Sequence, residues 1–186
     1  GYWSRGLGDV YKRQYKKLIS RYNNIQMARK ISLNSAYGAI GNQYFRYYDK
    51  AIAEGITKSG QLSIRWIENR LNKHLNNILK TDEDYVIASD TDSVYLTLDK
   101  LVTKTIKSDN ALSKTINFLD KVASESIEPY ITKSYDELKQ YTNAFANKMF
   151  MKREVIADKG IWVAKKRYIL NVWDSEGVSY KEPKLK

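Results

Sequence analysis

YVIASDTDSVYLTL, from Tyr85 to Leu98, holds two runs rich in Val, Ile, Tyr and Thr around a short polar centre. Such residues fit a pleated, half-buried surface, so Tyr85–Ser89 and Ser93–Leu98 are predicted as strands. Asp90-Thr91-Asp92 between them is predicted as the tight turn of a β-hairpin. Upstream, TDED (Thr81–Asp84) is polar punctuation. Before it, about 51–80, Ile52, Ile56, Ile64, Ile67, Leu71, Leu75 and Ile78 recur at helical spacing. Gly60 lies on that stripe and would admit a close backbone neighbour. The run GNQYFRYYD (Gly41–Asp49) separates this helix from an earlier one beginning at Tyr15, with Ile25, Ala28, Ser32, Leu33, Ala36 and Ile40 as its stripe. The first fourteen residues, GYWSRGLGDVYKRQ, show neither period and are left unassigned, as a cloning scar, an assembly artefact or a frayed end.

Downstream of the hairpin, Ser108 or Asp109 is placed to cap a helix over about 110–128, which Pro129 ends. A second helix is expected over about 130–142. Met149–Ala157 and Ile161–Trp173 read as strands, the latter split around Lys165-Lys166-Arg167. The tail Glu182–Lys186 carries no cap and no closing element, so the chain is expected to be cut there. Helices interspersed with hairpins, without strict βαβ units, give an α+β fold.

A chain of 186 residues with 42% hydrophobic content supports one sizeable core. No apolar run approaches the length of a membrane span, and no secretory signal is visible. The absence of Cys excludes disulfides and thiolate zinc sites, and His74 is the only imidazole. Ser-His or Cys-His catalysis would have to use that one residue, which is expected to be solvated. The formal charge is +11, unevenly spread. Residues 1–80 hold 15 Lys or Arg and 4 Asp or Glu, whereas residues 81–186 hold 17 of each. A basic block beside a balanced one suits a polyanionic partner, and equally a plain solvated surface.

Three constellations can carry chemistry. In KISLNSAYG (Lys30–Gly38), helical spacing puts Lys30, Asn34, Tyr37 and Gly41 on one face. A cation, an amide, an aromatic hydroxyl and a gap suit a nucleoside triphosphate; the alternative is the wet side of an amphipathic helix. In ASDTDS (Ala88–Ser93), two acids flank one residue at the mouth of an apolar hairpin. Aspartate is ordinary in turns. A close carboxylate pair is also what Mg²⁺ takes together with substrate phosphates. In KKRY (Lys165–Tyr168), three cations interrupt an apolar run. Strand alternation would put Lys166 and Tyr168 on one face and Lys165 and Arg167 on the other. They suit a nucleic-acid backbone, or an edge strand guarded by lysine.

Together, from about Tyr15 to Lys186, the three resemble the polymerase core of family B DNA polymerases of the tailed-bacteriophage, T-even-like type. KISLNSAYG is similar to motif B, K-x-x-x-N-S-x-Y-G; ASDTDS to motif C, Y-G-D-T-D-S; and KKRY to the downstream primer-template motif. The order also fits, with 52 residues from Gly38 to Asp90 and 73 from Asp92 to Lys165.

The resemblance implies a fingers helix (15–42) and a palm of antiparallel sheet with packed helices (43–186), truncated before the thumb. It implies DNA synthesis from deoxynucleoside triphosphates on a primer-template, with two Mg²⁺ ions. Lys30 and Asn34 would contact the triphosphate, and Tyr37 the minor-groove side of the nascent pair, with Gly38 giving clearance. Asp92 would ligate metal, Asp90 would lie nearby, and Glu154 would be the acid close to the metals. Lys166 and Tyr168 would hold the primer terminus and nearby template, within a Lys165–Tyr168 primer-template motif. Lys152 stands where some relatives carry an acid, and Ser89 where the motif usually has Gly. A phage-encoded parent would act in the cytoplasm of a bacterial host, with no membrane association and with a sliding clamp as a candidate partner.

The family's motif A, D-x-x-S-L-Y-P, is not found in these 186 residues. The expectation is therefore a fragment with little activity alone. The rival reading is a non-catalytic nucleic-acid-binding module derived from a palm. A D-x-D glycosyltransferase is disfavoured, because it needs alternating βα units and leaves the other two motifs unexplained.

Overall fold

The structure, a computed structural model, describes residues 2–106 and 112–186, with side chains from Val10 onward. The chain divides into two compact units, residues 1–58 and 59–186, and the division falls within a helix.

The first unit holds α1 (Tyr2–Ile40) and the opening turns of α2 (Lys50–Leu79). α1 therefore runs through most of the fourteen residues left unassigned from their lack of period. Between Val10 and Gly38 every residue of α1 is exposed, including Ile25 and Leu33 of the expected stripe, so that stripe has no packed partner among the described residues. The helix ends where Gly41 N–H donates to Tyr37 O at 3.2 Å and the Gly41–Asp49 loop turns the chain. Asp49 then caps α2, its Oδ1 accepting from Ile52 N–H at 3.0 Å.

In the second unit α2 buries Ser63, Ile67, Leu71, Leu75 and Leu79, one residue per turn. The stripe matches the sequence reading at Ile67, Leu71 and Leu75; Ser63 and Leu79 are buried in place of Ile64 and Ile78, and Ile52 and Ile56 are exposed. Gly60 has open space where a Cβ would stand, so no close neighbour uses it. Ile67 and Leu71 pack with Val86, Ile127, Ile131, Tyr135 and Leu138; Leu75 and Leu79 pack with Tyr85. His74 is not simply solvated. Its ring stacks on Tyr130 at 3.9 Å, and burial lowers its pKa.

The predicted hairpin forms. β1 (Val86–Asp90) pairs antiparallel with β2 (Ser93–Leu96), Asp90 opposite Ser93. Its approach is fixed by two asparagines of α2. Asn72 Oδ1 accepts Tyr85 N–H at 2.8 Å and Val86 N–H at 3.2 Å. Asn76 Oδ1 accepts Glu83 N–H, and its amide donates to Glu83 O. Replacing Asn72 with Ala leaves the part-buried Tyr85 N–H without its acceptor, while Val86 N–H keeps Asp84 Oδ1 at 3.1 Å. The expected loss of stability is about 1–3 kcal/mol, read as a lower urea midpoint with unchanged slope; an unchanged midpoint would remove this role.

A short α3 (Asp99–Thr105) follows, which the sequence had not indicated. The cap assigned to Ser108 or Asp109 lies outside the described residues. From Leu112 the two expected helices are one run: α4 (Leu112–Val122), a π-helical turn (Ala123–Ile127) and α5 (Glu128–Tyr141). Pro129 does not end it. It occupies the first turn of α5, and in the wide turn before it Glu128 N–H reaches back five residues to Ala123 O. Proline clashes with a regular preceding turn, and a π turn is a known way to absorb that.

The last sheet has the order β3-β4-β5, all antiparallel: β3 (Val155–Ala164), β4 (Arg167–Ser175) and β5 (Val178–Leu185). Three expectations are corrected here. Met149–Glu154 is not strand. The tail Glu182–Lys186 does have a closing element, since most of it lies in β5 and Lys186 N–H and O both bond to Leu170. Lys165 and Lys166 are not in a strand at all. They form a two-residue hairpin turn, with Ala164 opposite Arg167 and Lys166 at φ 62°. A turn leaves both cations in water, so the strand alternation predicted for them does not apply.

Candidate functional site

The residues singled out from the sequence fall in both units, and each group is described by itself. On α1, Lys30, Asn34, Tyr37 and Gly38 are all exposed. Tyr37 is anchored from outside its helix by a 2.8 Å hydrogen bond between its hydroxyl and Thr57 Oγ1. Thr57 Oγ1 is itself tied to Ala53 O at 2.9 Å. The space beside Gly38 is open: a Cβ there would meet nothing within 4 Å. Among the described residues Lys30 has no ion pair.

In the second unit the Asp90-Thr91-Asp92 turn is tight. Asp92 N–H donates to Asp90 O at 2.6 Å across Thr91, whose φ is 55°. Positive φ is uncommon outside Gly, and for a β-branched residue it is strained. Thr91 is held there by its own hydroxyl, which donates to Asp90 Oδ1 at 3.0 Å. Ser93 Oγ donates to Asp90 O at 3.1 Å. Ser89 is ordinary strand, paired with Val94, so its replacement of the motif's Gly has no backbone cost.

The tip of the β3–β4 hairpin meets this turn. Lys166 Nζ stands 3.8 Å from Asp90 Oδ1. Beside that pair, Tyr95 of β2 lies edge-on to both Tyr168 and Trp162, with ring centroids 5.4 Å apart in each case. Burial, then the neighbouring Tyr168 hydroxyl, pushes the Tyr95 phenol up to about 12; the Asp90 charge adds to this and Ser93 opposes it. Tyr95 is therefore a neutral hydroxyl throughout the physiological range.

Asp92, Glu154, Lys152 and Tyr168 line one cleft of about 620 Å³, walled by β2, α5 and β3. Asp92 and Glu154 are exposed there, their oxygens open to a ligand. Asp90 is not in its lining. The structure thus brings Asp92 to the same cleft as Glu154, and Asp90 to Lys166. Lys165 and Arg167 are exposed at the hairpin tip, without ion pairs among the described residues. No group of three Asp, Glu or His close enough to hold a metal occurs among the described residues.

Sequence reasoning missed Arg153. Its Nη1 donates to Asp174 Oδ1 at 2.5 Å and its Nη2 to Asp120 Oδ1 at 2.6 Å, while its N–H donates to Glu128 Oε1 at 3.0 Å. This ties α4, α5 and β4 to the segment that carries Glu154. Only the conspicuous placement of one Arg between Lys152 and Glu154 could have flagged it.

The family model for DNA polymerase family B matches residues 10–184, and the chain belongs to that family. Among curated proteins it is 46% identical to the DNA-directed DNA polymerase of Escherichia phage RB69, over 87% of this chain and 19% of that protein. It is 42% identical to the DNA-directed DNA polymerase of Enterobacteria phage T4, over 92% of this chain and 20% of that protein. DNA polymerase 1 of Sulfolobus acidocaldarius is 37% identical over 50% of this chain. The chain spans about a fifth of the length of its phage relatives. No helix among the described residues is long and apolar enough to cross a membrane.

Proposed function

We propose that these residues form the nucleotidyl-transfer part of a DNA polymerase, in which a primer 3′-hydroxyl attacks the α-phosphate of a deoxynucleoside triphosphate. The observation that carries this is the shared cleft: Asp92 and Glu154 open onto the same space as Tyr168, with Lys166 beside Asp90. Their carboxylate oxygens are the hard donors Mg²⁺ takes, and a set this small fits an ion that also binds phosphates and water. Asp92 and Glu154 would hold Mg²⁺, with Asp90 adjacent. Mg²⁺ held by them would supply neutralisation of the charge that develops on the reacting phosphate.

The protein's own residues position the reactants. Lys30 neutralises triphosphate charge and Asn34 donates to it. The Tyr37 ring, fixed through Thr57, lies against the minor-groove side of the nascent pair, and the open space at Gly38 receives it. Lys166 and Tyr168 hold the primer terminus, and Lys165 and Arg167 engage backbone phosphates.

The test is a primer-template titration of the 186-residue chain at several salt concentrations. Each phosphate neutralised contributes a slope of about −0.9 in log affinity against log salt. Engagement by the basic tip and α1 predicts a slope of about −3 or steeper, and no templated synthesis by the chain alone. A flat titration sinks the DNA assignment. A salt-dependent binder that stays inert within a full-length polymerase frame is the non-catalytic module instead.

A further inference from the structure

The Asp90–Asp92 turn and the Lys165–Tyr168 tip lie on two different sheets. β1-β2 and β3-β4-β5 share no ladder hydrogen bonds, so backbone pairing does not set the distance between them. The Lys166–Asp90 pair cannot set it either. At 3.8 Å, with the lysine side chain 66% exposed, it is the kind of contact that contributes little. What spans the gap is aromatic. Trp162 and Tyr168 face each other across β3 and β4, and Tyr95 of β2 meets both rings edge-on.

Trp162 can lie there because of Gly160. A Cβ on Gly160 would come within 2.8 Å of the far edge of the indole and within 2.8 Å of Leu170 Cδ2. The ring lies down over the missing side chain, the close approach for which a glycine inside a strand is often kept. No other glycine with described surroundings is so closely covered. The packing turns the indole toward β2, although Trp162 stays 36% exposed in an exposed strand.

We propose that Trp162, seated on Gly160 and clasped by Tyr95, is a positioning residue that holds the Lys165–Tyr168 tip at the Asp90–Asp92 turn and so fixes where Lys166 meets a primer-template phosphate. The inference rests on the reading of that tip as a DNA contact. Trp162 need not touch DNA; it acts through Lys166.

The experiment is a double-mutant cycle on the 186-residue chain, with affinity for a fluorescein-labelled primer-template duplex read by anisotropy across a salt series. Lys166→Gln and Trp162→Ala should each weaken binding by about three- to tenfold, and the double variant should be little worse than either alone. Both single variants should lose about one phosphate's worth of salt slope, which a merely structural loss would not remove selectively. Trp162→Phe should restore affinity and slope. Trp162→Leu keeps apolar bulk while removing the ring contacts with Tyr95 and Tyr168, and supplies the same comparison should the alanine variant unfold. Additive losses, or a Trp162 variant with full salt slope, overturn the positioning role and leave the tip as a DNA contact. A Lys166→Gln variant matching the parent in affinity and slope overturns both.

Discussion

Asp92→Asn, placed in a full-length phage relative whose matching segment is replaced by these residues, is expected to reduce the rate of nucleotide incorporation by about 10³-fold or more. The carboxylate is exposed in the cleft it shares with Glu154, so the substitution removes the proposed metal ligand without opening the core. Primer-template affinity should stay within about twofold, because the proposed DNA contacts, Lys165 to Tyr168, are other residues; a loss confined to catalysis is the pattern of an interaction made in the transition state. Asp90→Asn should cost less, since Asp90 is outside that lining and beside Lys166. Single-turnover extension at saturating Mg²⁺ reads both. Equal and small effects at the two positions would place the metal elsewhere.

Arg153→Ala is expected to destabilise the fold by about 3 kcal/mol or more. It strands Asp174, whose side chain is 4% exposed, with Arg153 its ion-pair partner among the described residues. Burial alone would push the Asp174 carboxyl up. Hydrogen bonds from Ser179 and Arg153, the arginine charge and the Gly177 N–H together hold it below its ordinary 3.8. The native carboxyl therefore releases its proton more readily than the unfolded one. Its contribution is complete above the unfolded value and is lost as pH falls through the lower folded-state pKa. Urea unfolding at pH 7 should show the full deficit of the variant, and the gap to the parent should narrow below pH 3.8. A gap independent of pH would mean that the arginine acts by packing alone.

How much of this could be read beforehand depends on which forces wrote it. The Tyr85–Leu98 hairpin was legible because β-branched residues flank a turn whose polar residues have no other use. The second half of α2 was legible because one buried residue per turn leaves a period. α1 near its start was not, since GYWSRGLGDVYKRQ holds three glycines and no apolar stripe. Lys165 and Lys166 were misplaced into a strand because hydropathy cannot distinguish cations within a strand from cations at the bend between two. The Pro129 run failed for a related reason: a proline is a stop signal only if the helix cannot widen, and here it does. The candidate site residues could be named from motifs, but not their grouping. That Asp92 opens with Glu154 while Asp90 turns to Lys166 depends on the chain after Phe150 returning to the hairpin. Arg153 and its three carboxylates enforce that return, through contacts 21 to 33 residues apart in sequence. No local pattern carries such information.

The backbone at Thr91 has an evolutionary consequence. A β-branched residue at φ 55° opposes its own conformational preference, at a cost of about 1–2 kcal/mol. Glycine would relieve it, so a selection for thermal resistance alone would drift this position toward glycine. What would be given up is the threonine hydroxyl on Asp90 and, with it, the stiffness that keeps two acids one residue apart facing different neighbours. If the two acids act as proposed, heat tolerance and catalysis pull this codon in opposite directions.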